Sequence, residues 1–211
     1  MLSTVCCFHY NPRMRLFSFL FPHPHITLEQ QLENLRECGI HLKPEFSVDT
    51  LLESFAREKY EERPYVGAII RLGGELEREP FTPLSDNLWH LDTECIEDSG
   101  DYVHVAERMR LLAQGELPIE NIRDHVDVEN GDAWVAFDLK GEAIEWHARV
   151  KEDWIDPEIL SNFCGLLKAQ GGERRYIYLD LKGQDCMIGC AKEDEMRRLR
   201  KMTGMDFTWL D

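Results

Sequence analysis

The stretch from Asn121 to Glu152 constrains the fold most: NIRDHVDVE, then Asn130-Gly131, AWVAFDLK, Gly141 and AIEWHARVKE. The Asn-Gly and Lys-Gly pairs supply the positive φ that two-residue hairpin turns demand, so three antiparallel strands in succession are predicted. In the middle strand Trp134 and Ala136 share one face, with Val135, Phe137 and Leu139 on the other. RRYIYLDL, a turn at Lys182-Gly183 and QDCMIGCA repeat the hairpin pattern nearer the end. Residues 87–98 (NLWHLDTECIED) alternate as a strand: Leu88, His90, Asp92 and Glu94 on one face, Trp89, Leu91, Thr93, Cys95 and Glu97 on the other. RPYVGAIIRLGGE also reads as a strand, closed by Gly73-Gly74.

Helices punctuate these strands. Thr27 caps ITLEQQLENLRECGI with Gln30 as its capping-box partner, Leu28, Leu32 and Leu35 recur at helical spacing, and Gly39 stops the run. Ser47 caps a second helix through SVDTLLESFAREKYEE, with Leu51, Leu52 and Phe55 on its buried face; the two form an antiparallel pair. Ser99 is the expected cap of SGDYVHVAERMRLLAQG, which turns Tyr102, Val105, Ala106, Met109 and Leu112 inward. DPEILSNFCGLLKAQGG starts with Asp156 as cap and Pro157 at the first position. KEDEMRRLRKMTG is the last helix, and DFTWLD adds a short strand. This order predicts an α+β fold, mainly antiparallel, with an N-terminal helix pair and helices packed on the sheet. Residues 25–211 read as one domain with a soft boundary near Gly115, and residues 1–24 as an extension or first strand. The segment before Met14 differs in character from the rest of the chain, and a start at Met14 is expected.

The 211 residues carry a net charge of −16, and all of it lies before Gly171, since the remainder holds eight acids and eight bases. Residues 75–101 hold nine acids and one base, and residues 116–158 thirteen acids and four bases. Such a field repels nucleic acid and anionic membrane and attracts basic partners. No apolar run approaches the roughly 20 residues of a membrane span. Seven cysteines, an odd number without a secretion signal, read as reduced thiols of a cytoplasm.

Cys186 and Cys190 share a strand face with Ile188, about 13 Å apart at roughly 3.3 Å per residue. Neither one zinc nor a disulfide spans that; the pair reads as core. His90, Asp92 and Glu94 on one face offer divalent-metal ligands or an acid–base pair, and His125, Asp127 and Glu129 repeat the pattern. The alternative for both is a solvated acidic face. FPHPH, with His23 and His25 two apart, invites the same choice between a metal site and a loop. There is no G-x-S-x-G nucleophile elbow and no phosphate loop. Arg197, Arg198, Arg200 and Lys201 complement the dipole of the last helix, or dock on an acidic surface of the same chain or of a second copy.

LWHLDTECIEDSGDYVHVAERM together with YLDLKGQDCMIGCAKEDEMRRLRKMTGMDFTWL resembles bacterial stand-alone α+β proteins, some of them immunity partners of polymorphic toxins, in size, acidity and lack of a catalytic signature. The resemblance implies an inhibitor that occludes a basic toxin cleft. The leading expectation is therefore a non-enzymatic cytoplasmic binding protein, without cofactor, for a basic toxin or effector domain; a homodimer is allowed. Its contact carboxylates would be Asp92, Glu94, Glu97, Asp98, Asp101, Asp124, Asp127, Glu129 and Asp132, with Trp89, Trp134 or Trp146 as anchors. The rival is a metal-dependent hydrolase or transferase using His90, Asp92 and Glu94.

Overall fold

A computed structural model describes residues 25–211 except Glu77 and Glu79. The expectations for Met14 and its neighbours, and for His23, lie outside the described residues. The order is α1 (Leu28–Arg36), α2 (Val48–Leu52), α3 (Arg57–Glu62), α4 (Val66–Gly73), β1 (Leu88–Asp92), α5 (Asp101–Leu112), β2 (Ile119–Asp127), β3 (Asp132–Leu139), β4 (Glu142–His147), α6 (Pro157–Ala169), β5 (Arg175–Asp180), β6 (Asp185–Ala191), α7 (Glu193–Thr203) and β7 (Thr208–Trp209). The chain is α+β, and both sheets are antiparallel throughout: β1-β6-β5-β7, and the meander β2-β3-β4.

Both faces of the four-stranded sheet are covered. Leu88, Ile177, Met187 and Ala191 pack under α1–α4 and α7. Trp89, Leu91, Tyr176, Cys186, Ile188 and Cys190 pack against α5, α6 and the three-stranded sheet. That explains QDCMIGCA: a strand between two neighbours, buried on both sides, has no polar face to alternate with. Cys186, Ile188 and Cys190 are buried together on one face. The second cluster continues from α5 through Leu112, Ala113, Leu117 and Ile119 into β2, across position 115.

Local signals place many elements. Thr27 and Gln30 form the reciprocal capping box of α1, whose Leu28 and Leu35 are buried. Asp156 caps α6 with Pro157 behind it. Lys140 and Gly141 both take positive φ in a two-residue turn between Leu139 and Glu142, and Lys182 and Gly183 also take positive φ, in a longer turn that the Leu181 N–H closes on Asp185 O.

Four local expectations are corrected. RPYVGAIIRLGG is a helix, α4: Ala68, Ile69 and Leu72 are buried at helical spacing, and periodicity cannot separate the two readings of so short an apolar run. Gly73 lets α4 approach β1, since a Cβ there would overlap the Met187 methyl and sit 2.8 Å from the His90 nitrogen. The second helix is broken into α2 and α3 by an extended Ala56, which leaves Phe55 48% exposed instead of buried. α1 is held to α3 and α4 by buried Gln31, whose amide donates to Tyr60 O (3.0 Å) and accepts from Tyr65 N (2.8 Å). The β2–β3 loop has four residues between Asp127 and Asp132, with Gly131 alone at positive φ. Finally, Gly100 and not Ser99 occupies the N-cap of α5.

Candidate interaction surface

The acidic surface is built by the loop that leaves β1. Asp92 ends the strand: its carboxylate accepts the Glu94 N–H (3.0 Å) and the Gln184 amide (3.1 Å). Thr93 bonds to Gln184 O, Glu94 bridges to Trp154, and Ile96 N–H donates to Asp153 O. Asp101 then accepts the N–H groups of Glu97 (2.7 Å) and Asp98 (2.8 Å), closing the loop on itself.

Bonds from three further N–H groups tie this loop and the start of α5 to β2. Ser99 Oγ accepts the Val126 N–H (3.1 Å). Both Asp124 oxygens accept from Gly100 N–H (2.8 and 2.9 Å), and one also from Val103 N–H (3.1 Å). Asp124 thus caps α5 from another element, satisfying amide donors that a helix start leaves open. The consequence is spatial: two acid-rich stretches some 30 positions apart in sequence become neighbours. At the β2–β3 turn Asp127 accepts the side chain and backbone N–H of Asn130, and the Asn130 side-chain bond leads in holding its carboxyl below the usual value.

Several basic side chains are paired elsewhere. Arg57 meets Glu29, Lys43 meets Asp86, Arg149 meets Asp156, Arg174 meets Glu195, Lys182 meets Asp180, Lys192 meets Glu173, and Arg198 meets Asp194. Among the described residues no Lys or Arg lies within ion-pair distance of Asp92, Glu94, Glu97, Asp98, Asp101, Asp124, Asp127, Glu129 or Asp132. The His125 imidazole lies beside this surface, its Nε2 3.7 Å from Asp132 Oδ2. Glu97, Asp98, Glu129 and Asp132 are exposed.

The three candidate tryptophans separate. Trp89 is buried, with the Arg108 guanidinium 5.8 Å from its ring and His104 edge-on at 6.0 Å. Trp146 is built into an aromatic trio, 4.9 Å from both Phe137 and Phe163. Trp134 sits on the opposite face of the meander, half-buried, in register between His125 and His147. The row beside it is Arg123, Ala136 and Glu145. His147 and Glu145 were missed in the sequence, because only the β3–β4 register sets them beside Trp134.

The candidate metal trio is drawn apart. His90 Nε2 faces Asp185 Oδ1 at 3.5 Å, Asp92 is engaged with Gln184, and Glu94 lies beyond the strand end. Among the described residues no group of three or more His, Cys, Asp or Glu side chains is placed to hold a metal ion. His25 is exposed, 3.0 Å from Glu61. Burial is the chief reason that the thiols of Cys95, Cys164, Cys186 and Cys190 are pushed up to about 12, which keeps them protonated and poorly nucleophilic at neutral pH. Among the described residues no helix is long and apolar enough to cross a membrane. Comparison of the chain with family models, with curated proteins and with solved structures finds no match.

Proposed function

We propose that this chain is a non-enzymatic acidic binding protein of the bacterial cytoplasm, an immunity-type inhibitor that occludes the basic active cleft of a toxin or effector domain. The observation that carries the reading is the ridge made by the 92–101 loop and the β2–β3 turn, where carboxylates from two stretches lie without a Lys or Arg partner among the described residues. Uncompensated charge on a fixed backbone raises the encounter rate with a cationic surface and gives coupling energy at close contact. Trp134, at the edge of the ridge, supplies an aromatic contact of the kind that anchors interfaces. The five described cysteines are all free thiols, which suits a reducing compartment.

Asp92, Asp101, Asp124 and Asp127 hold backbone or side-chain donors, so changing them perturbs the fold as well as the surface. Glu97, Asp98, Glu129 and Asp132 have carboxylates free of such duty among the described residues, and they are the ones to reverse. The wild-type chain is used to capture its partner from native lysate, and the captured protein is titrated calorimetrically. Replacing all four by Lys is expected to weaken binding at least about a hundredfold, since close interfacial charge pairs couple by about 1.5 kcal/mol or more. An unchanged affinity in a variant with a wild-type melting curve removes this ridge from the interface.

A further inference from the structure

We infer that the groove between α7 and β7 receives the acidic loop of a second copy of this chain. β7 is an edge strand, and its register with β5 places Trp209 opposite Ile177, on the face that α7 covers. The Arg175 guanidinium lies 3.9 Å above the Trp209 ring. Beside them runs a groove of about 680 Å³, lined by Met196, Arg197, Arg200, Lys201 and Trp209, with Glu193 as its acidic lining residue. Arg200 meets Asp206 at 3.3 Å. Arg175, Arg197 and Lys201 have no carboxylate within ion-pair distance among the described residues.

The described residues therefore carry two surfaces of opposite sign, one with unpaired carboxylates and one with the unpaired cations Arg175, Arg197 and Lys201. The cationic groove sits at the β7 edge of the four-stranded sheet, and the acidic loop springs from β1 at the other edge. Three inter-strand spacings, roughly 14 Å, separate those edges, and backbone hydrogen bonds fix both. The surfaces can meet only between molecules. Such a contact joins unlike patches, so it is head-to-tail and builds concentration-dependent chains or rings. Copies with a charge of −16 repel at long range, but at about 0.1 M salt screening damps this beyond roughly 10 Å and leaves contact pairs in force. At about 1 M salt the screening length falls to roughly 3 Å and the contact weakens as well. This assembly goes beyond the proposed function and occupies the same ridge, so the monomer is the partner-competent form.

Sedimentation velocity over a concentration series tests it. The wild-type chain is expected to self-associate at about 0.1 M salt and to dissociate at about 1 M. Arg197→Glu with Lys201→Glu is expected to weaken association at least about tenfold, with circular dichroism unchanged. Adding Glu97→Lys and Asp98→Lys to that variant restores association, because each patch has then exchanged sign. A wild-type chain that stays monomeric, or association indifferent to the groove substitutions, overturns the inference. A monomeric chain that binds a poly-glutamate peptide also overturns it and gives the groove to a foreign acidic segment. The groove variant keeps its acidic ridge, so continued partner binding by that variant separates the fate of this inference from that of the proposed function.

Discussion

Asp124→Ala probes the bond set that brings the two acidic stretches together, and its cost can be worked from the structure. The carboxylate accepts from Gly100 and Val103 at 2.8–3.1 Å, at the start of a 12-residue helix. Loss of a capping acceptor costs about 1 kcal/mol. Loss of a negative charge at a helix N-terminus adds about 0.5 kcal/mol. Freeing the Gly100 amide, which tethers the loop to β2, adds about 1 kcal/mol. Relief of repulsion among neighbouring carboxylates offsets about 0.3 kcal/mol, taking like-charge pairs as the guide. The sum is about 2 kcal/mol, equivalent to a fall in Tm of about 4–8 °C for a chain of this size. Asp124→Asn keeps an oxygen acceptor and loses the charge, so about half that cost is expected. Urea unfolding followed by tryptophan fluorescence reads the difference, with the m-value unchanged. Hydrogen exchange should show the Gly100 and Val103 amides opening first. An alanine variant within about 0.5 kcal/mol of wild type would refute the claim that Asp124 caps α5.

Three other perturbations test the packing and the ion pairs. Trp146→Ala should cost about 3–5 kcal/mol in urea unfolding, because it empties the trio with Phe137 and Phe163; Trp134→Ala should cost much less and act on partner affinity instead. Gly73→Ala should destabilise by about 1–3 kcal/mol, since α4 must retreat from β1 to admit a methyl; a neutral effect in the same assay would mean that the helix is free to shift. Burial tends to raise the Asp156 carboxyl, but the Arg149 guanidinium and the Arg149 and Glu158 backbone N–H groups outweigh it and hold the carboxyl below its ordinary 3.8. Its stabilising contribution is therefore complete above the unfolded value and is lost as pH falls through the folded one. Melting curves between about pH 2 and 6 should show a smaller acid-induced loss in Asp156→Asn than in wild type.

The local features that sequence and structure share rest on signals spanning a single turn or pleat. Thr27 with Gln30, Asp156 with Pro157, and Lys140 with Gly141 each specify local dihedrals, and the alternation in β3 puts Phe137 and Trp134 on opposite faces whatever surrounds them. Where a segment's state depended on distant partners, local pattern misled. YVGAIIRL is apolar enough for strand or helix, and the close seat of Gly73 against Met187 belongs to the helix. The break at Ala56 and the bulge between Glu120 and Arg123 have no comparable local mark.

The same division runs through the candidate site. Composition determined that the first four-fifths of the chain is strongly acidic, because charge is additive along a sequence. Whether that charge is neutralised is a matter of distances between residues far apart in the chain, and only the tertiary structure decided it. Folding brought Ser99 and Gly100 to Val126 and Asp124, so that the two acidic stretches adjoin, and it paired ten of the described Lys and Arg side chains with carboxylates elsewhere. It also sorted three similar tryptophans into two that hold the core and one, Trp134, that faces outward, since strand register and burial on both sides of a sheet are set by the partners a strand acquires and not by its own residues.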